Sequence, residues 1–295
     1  LLNFGGHSLA GYSDMNGYGH FLTAYLWVKM YWFFFSMLLL ILTGILMENG
    51  AEAGWKKRWK KGINQISKPM AIFCMTGLSL FIGTGTYIFY NSHILNEYHT
   101  KGEENNFRAG YEKALKQFEY IPQPKIVDVQ LNIELYPSKR AYDISCQYVV
   151  INTSQYPICD IHLQKRIDSK VILSDVTFDR PATVNHKYQK YHYIIYELSQ
   201  SLSPGDTMRI FFRQTLVQNG FDIHGSDTDV VNNGTFFDNA TLPGFGYQKK
   251  YEHQDEDDRK DFGLTPRLSK AKRDDIKEWS NARSGSDSDG VNLQM

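Results

Sequence analysis

The sequence predicts two membrane-spanning α-helices, then a helical stalk, then a mainly antiparallel β domain, either a sandwich or a saddle-like sheet. Three observations carry this. Two runs without any charge, residues 30–47 and 70–90, stand close together. A cluster of Lys and Arg separates them. Past residue 125 the hydrophobic pattern changes to strict alternation, the period of a strand.

The first run reads MYWFFFSMLLLILTGILM, and FLTAYLWV with Lys29 extends it back to Phe21. The second reads MAIFCMTGLSLFIGTGTYIFY. A bilayer core of about 30 Å needs roughly 20 apolar residues in helix, so both are long enough, with spans predicted at about 27–47 and 70–90. Neither a soluble core helix nor a signal peptide fits as well: Trp and Tyr flank the runs, and residues 1–20 carry no Lys or Arg. The loop 48–69 holds Lys56, Lys57, Arg58, Lys60, Lys61 and Lys68. Basic loops stay in the cytoplasm, so residues 1–20 and 91–295 are expected outside. Trp55 and Trp59 are expected at the inner headgroup level, and Lys29 snorkels near the outer boundary. Ser79 and Gly83 form a small-xxx-small pair suited to a neighbouring helix, which favours further membrane helices of the same parent chain. The lipid bilayer is the first partner implied. The neutral net charge gives no electrostatic case for nucleic acid.

Residues 91–124 read as the stalk. Phe107, Tyr111, Ala114, Leu115 and Phe118 share one helical face with Glu and Lys opposite, and Pro122 and Pro124 end it. Residues 125–295 read as the β-rich domain. Val127, Val129, Leu131, Ile133 and Leu135 alternate with polar residues, and Tyr142 to Val150 repeats the pattern. Further strands are expected at 159–163, 171–178, 190–198 and 208–216, with Ser203-Pro204-Gly205-Asp206 as a turn. A break at Asn152–Pro157 suggests a hairpin between the second and third strands. In that register Cys146 faces Leu163 and Cys159 faces Val150, roughly 13 Å apart along the strand, too far for a disulfide. Two buried free thiols on one face are then expected.

No catalytic, cofactor-binding or metal residue is assigned. None of the nine histidines stands in a His-Glu-x-x-His spacing. His253, Asp255, Glu256, Asp257 and Asp258 are dense enough to hold a cation, but beside Lys and Arg they read as a solvated loop. No glycine-rich phosphate loop follows a strand, and no Gly-x-Ser-x-Gly elbow is present. Residues 284–290, rich in Ser, Asp and Gly, read as an exposed linker. Sequons at Asn152, Asn233 and Asn239 matter only in a eukaryotic secretory setting.

Several segments carry a resemblance. Val127–Leu135 with Tyr142–Asn152, the turn Asn152-Thr153-Ser154 and the turn Leu202-Ser203-Pro204-Gly205-Asp206-Thr207 resemble the opening of the N-terminal β domain of M1 (gluzincin) aminopeptidases. Asn232–Phe236, Leu242–Tyr247 and Arg259–Leu264 resemble the bacterial membrane-bound branch. There the peptidase follows an ABC-2-type permease-like region, which residues 5–90 resemble in its last part. The resemblance implies a multi-pass protein of the bacterial plasma (inner) membrane. It also implies peptides as the parent's substrate, an ABC ATPase as a further partner, and zinc in a later catalytic domain. No position here matches the zinc helix or the exopeptidase loop, so no residue is carried over and this segment alone is expected to be inactive. The chain opens at Leu1 and stops at Met295, and is read as an internal fragment that ends before the β domain is complete. Two other readings stand beside it: the membrane part of an ABC-2-type permease with an accessory outer domain, and a non-enzymatic anchored binding or sensor module.

Overall fold

The computed structural model describes residues 12, 14, 17–19, 21–47, 54–64, 66–221, 229–231, 234–235, 238, 240–267 and 291–295. The chain divides into two compact units, Leu1–Tyr98 with Asn219–Gly234, and His99–Gln218 with Thr235–Met295.

The first unit is helical. Helix α1 (Phe21–Met47), a short α2 (Trp55–Asn64) and α3 (Lys68–Phe89) follow one another, and α3 runs on into a single π turn, Tyr90–Ile94. Phe21–Met47 and Lys68–Ile94 are long and apolar enough to cross a membrane. Pro69 opens α3, where its missing N–H removes no helical bond. Helices α1 and α3 meet through aromatic side chains: Tyr31 stacks on Phe81 at 4.6 Å and Trp27 lies 4.3 Å from Tyr87. Gly77 and Gly85 permit that approach, since a Cβ at either would press on Met37 or Tyr31. Gly83, with no atom within 4 Å of a Cβ, lies open. Hydroxyls in the apolar stretches bond to their own helix: Ser36 Oγ donates to Trp32 O, and Thr84 Oγ1 to Leu80 O, both at 2.8 Å. Where no water is at hand, that is the local way to satisfy them. Phe221 is buried with Val28 and Ile88, and Asn96 Nδ2 donates to Asn219 O at 3.1 Å.

The second unit is a two-sheet β domain. Helix α4 (Lys101–Leu115) starts at a capping box in which Thr100 and Glu103 satisfy each other's backbone N–H. Then come β1 (Lys125–Tyr136), β2 (Ala141–Ile151), β3 (Ile158–Gln164), β4 (Val171–Phe178), β5 (Ala182–Asn185), β6 (Tyr193–Leu202) and β7 (Thr207–Val217). Short pieces follow along the chain: β8 (Val230–Val231), which belongs to the first unit, β9 (Gly234–Thr235), β10 (Gly244–Phe245), α5 (Glu256–Asp261) and β11 (Asn292–Gln294). One sheet has the order β11-β1-β2-β7-β4 and the other β10-β3-β6-β5. All pairs in both are antiparallel except β1 with β11. Buried alternate residues of β2 and β7, among them Ile144, Tyr148, Ile210 and Phe212, form the inner face of the first sheet. Ring contacts join the sheets: Phe178 to Tyr196 at 4.9 Å and Tyr148 to Phe245 at 6.2 Å.

The helix expected in residues 91–124 is α4, and it packs onto the β unit, with Tyr111 and Leu115 fully buried in a cluster with Tyr193 and Ile195. The apolar stripe that identified the helix exists to cover the second sheet. The expected hairpin between the second and third strands does not form. Strand β2 pairs with β1 and β7, so Cys146 faces Leu131 and Phe212, while β3 lies in the other sheet beside β6. Alternation identifies a strand and its faces but not its neighbour. The thiols also part ways: both are free, with Cys146 buried and Cys159 exposed. The fifth and eleventh strands, of four and three residues, are too short to show an alternation. The residues 233, 239 and 284–290 singled out above lie outside the described residues.

Burial pushes the Cys146 thiol up to about 12, which removes its thiolate at neutral pH. Alkylation of the folded protein should therefore modify Cys159 quickly and Cys146 only after unfolding, as read by mass spectrometry of the peptides. A Cys146–Cys159 cross-link in unreduced protein would contradict the separation of β2 from β3.

Candidate functional site

The turn segments that carry the family resemblance meet in space. Strands β2 and β3 lie in different sheets, as do β6 and β7, so the chain crosses between sheets at residues 152–157 and again at 203–206. Both crossings are joined through Asn152, which is 1% exposed. Its Nδ2 donates to Tyr156 O and to Leu202 O, each at 2.8 Å. Its Oδ1 accepts from Ser154 N and Oγ at 2.9 and 2.7 Å. The Asn152 N–H donates to Asp206 O at 3.0 Å, and Gly205 N donates to Asn152 O at 2.8 Å. Gly205 has φ +82°, the left-handed conformation that this turn needs and that glycine takes without strain. With both side-chain hydrogens engaged, the Asn152 sequon is not open to a glycan.

The later segments are anchors too. Pro243 O accepts from Tyr148 Oη at 3.1 Å, and Gly246 N donates to His162 O at 2.8 Å. Arg259 is wholly buried and grips Glu112 of α4 with two bonds, Nη1 to Oε2 at 2.8 Å and Nη2 to Oε1 at 2.7 Å. Its Nη1 also donates to His253 O at 3.0 Å, and its Nε to Thr265 O at 2.9 Å. Burial alone would raise the Glu112 carboxyl, but hydrogen bonds from Arg259 and Lys116 outweigh it and hold the group below its ordinary range. Beside this pair, Tyr247 donates to Glu252 at 2.8 Å. Burial, then that bond, drives the Tyr247 phenol upward. The pair was missed in the sequence because its members stand 147 positions apart. The one local hint is that Glu112 flanks the apolar stripe of α4 instead of opposing it.

The residues weighed as a cation site do not converge. Asp255 caps α5, accepting from Asp257 N and Asp258 N at 2.9 and 3.1 Å. Asp257 pairs with Lys260 at 3.0 Å. His253 contacts Asn105 O at 2.7 Å through Nε2 and stacks on Phe262. Among the described residues no three His, Cys, Asp or Glu side chains form a group able to hold a metal. A groove of about 550 Å3 runs along the first sheet, lined by Gln130, Asn132, Ser145, Gln147, Phe211 and Arg213. It offers hydrogen bonds from amides and a hydroxyl. Its Arg213 is engaged by Asp143 at 3.5 Å.

No protein-family profile matches the chain, and no curated protein does. Among solved structures it is similar to an M1 zinc metallopeptidase from Deinococcus radiodurans, with 14% identity and a TM-score of 0.26, over 32% of this chain and 20% of that one. A variant of that metallopeptidase bound to a Tyr-Ser-Ala substrate is similar at 13% identity and a TM-score of 0.26, over 32% and 21%. Native leukotriene A4 hydrolase from Saccharomyces cerevisiae is similar at 16% identity and a TM-score of 0.23, over 31% and 15%. The chain thus spans about a fifth of the length of the first solved structures it matches.

Removing one partner of a buried ion pair strands the other. Arg259→Met should therefore destabilise the β unit by roughly 3–5 kcal/mol in denaturant unfolding, and Glu112→Gln by a smaller amount. The Glu112 carboxyl is depressed in the folded state. Its contribution is complete above its ordinary 4.5 and fades as pH falls through the lower folded value. The gap between wild type and Glu112→Gln should accordingly shrink in acid. A gap that grew in acid would refute the assignment.

Proposed function

We propose that this chain is the membrane anchor and N-terminal β domain of a membrane-tethered, M1-like zinc aminopeptidase whose catalytic domain belongs to a longer parent. The observation that carries the reading is the Asn152 corner. The two turns resembling the M1 domain stand about fifty residues apart, yet they bond to each other where the chain changes sheets. They therefore act as one structural element. The helices supply the tether. Two long apolar helices separated by a basic segment suit a bilayer, with the segment in the cytoplasm and the β unit outside.

The described residues do not fit zinc, so no step of peptide hydrolysis is assigned to them. Their role in this reading is mechanical. The tether holds the enzyme where extracytoplasmic peptides pass, and the β unit presents a rigid frame. Zinc, in the catalytic domain, would polarise the scissile carbonyl and activate water.

An antibody to residues 125–217 should precipitate, from detergent-solubilised membranes of the cells that make the protein, an activity that cleaves aminoacyl reporters. A zinc chelator should remove it and added zinc restore it. Purified residues 1–295 should show no turnover. A precipitate without aminopeptidase activity would sink the reading.

Topology is checked separately, in a background lacking native cysteines. Asn64→Cys should be protected from an impermeant thiol reagent in intact cells and Ser138→Cys should react. The reverse labelling would place the basic segment outside.

A further inference from the structure

We infer that α2 is a docking surface for anionic phospholipid headgroups, holding the turn between the two long helices flat on a negatively charged leaflet. The inference rests on the membrane reading above. Helix α2, WKKRWKKGIN, has five basic residues in ten and no acidic one. At 100° per residue, Trp55, Trp59, Gly62 and Ile63 fall within one arc of about 100°. Lys56, Lys57, Arg58, Lys60 and Lys61 take the rest of the circumference. The apolar arc is not used up by the protein, as Trp59 is 44% and Ile63 47% exposed.

The position of α2 leaves little choice of partner. Gly62 lies against the end of α1, where a Cβ would come within 2.7 Å of Ile45 O. Only three residues separate its last residue, Asn64, from the first of α3, Lys68. The C-terminal part of α2 is thus held against the ends of both long apolar helices. A soluble polyanion would answer the ammonium groups but leave Trp59 and Ile63 in water. A bilayer interface answers both together, with phosphates for Lys and Arg and the headgroup boundary for indole and isoleucine. Surface attraction of about five-fold per Lys or Arg, for charges near an anionic leaflet, makes five such residues strongly selective for anionic over zwitterionic lipid.

The test uses the full chain in lipid nanodiscs, in a background lacking native cysteines, with a spin label at Leu40→Cys or at Ile63→Cys. Label depth is read from relative collision with oxygen and with a water-soluble nickel reagent. The discs are made of zwitterionic lipid alone or with a third of phosphatidylglycerol. Position 40, on α1 and 72% exposed, should lie in the acyl region in both lipids. Position 63 should be immersed at the headgroup boundary only with phosphatidylglycerol. It should return to water when the five basic residues of α2 are changed to glutamine. In 1 M salt, where screening shortens to about 3 Å, the unmodified helix should do the same. If position 40 is immersed while position 63 is indifferent to lipid charge, the docking inference is overturned and the membrane reading survives. If position 40 lies in water, the membrane reading fails and the inference with it.

Discussion

The Asn152 side chain is held by four hydrogen bonds and its backbone by two more, and all six lie where the polypeptide passes from one sheet to the other. A two-sheet domain needs such crossings, and each leaves backbone groups without a ladder partner. Here the amide of one residue serves both crossings. A typical hydrogen bond contributes about 1 kcal/mol net, whereas an abandoned buried carbonyl costs about 1–3 kcal/mol. The corner therefore matters less for what its bonds add than for what their loss would leave unpaired. The register of β2 against β7, continuous from Ala141 to Ile151, begins at this corner, since Ile151 faces Thr207 there. The burial of Val150 and Met208 follows from that register.

The Arg259–Glu112 pair does for the helices what Asn152 does for the sheets. Helix α4 buries Tyr111 and Leu115 against Tyr193 and Ile195, a non-directional attachment that would tolerate sliding. A bidentate guanidinium does not tolerate it, because both N–H···O bonds fail together when the helix shifts. The burial that makes the pair costly to form also makes it costly to break on one side. The apolar cluster thus supplies the adhesion of α4 and the ion pair its register.

What the sequence revealed and what it concealed divide along contact range. Strands β1, β2 and β7 were legible because alternation is a property of neighbouring residues, and the face that alternation selects is the buried one. The long helices were legible because eighteen or more uncharged residues in a row have few alternatives. The partner of β2 was not legible. Its short link to β3 suggested a hairpin, while its real neighbours come from residues 125–136 and 207–217. Glu112 looked like one more polar residue of an amphipathic helix until Arg259 was placed beside it. His253 and its acidic neighbours were dense enough to hold a cation, though beside Lys and Arg they read as a solvated loop. Asp255 proves to be a helix cap, Asp257 part of an ion pair and His253 a stacked ring.

The same division explains how the two units treat polar groups that leave water. In the helical unit the hydroxyls of Ser36, Thr84 and Ser92 turn back to carbonyls three or four residues earlier. Such a helix satisfies itself with its own chain, as a segment within lipid must. In the β unit, buried polar side chains reach far: Gln214 to Tyr142 and Thr241, His162 to Tyr193, Arg259 to Glu112. Those bonds form only once the fold has brought distant segments together, so they report on the correctness of the whole and favour one arrangement over its competitors. The helical unit has a bond of this kind too, from Asn96 Nδ2 to Asn219 O, where the chain returns to it.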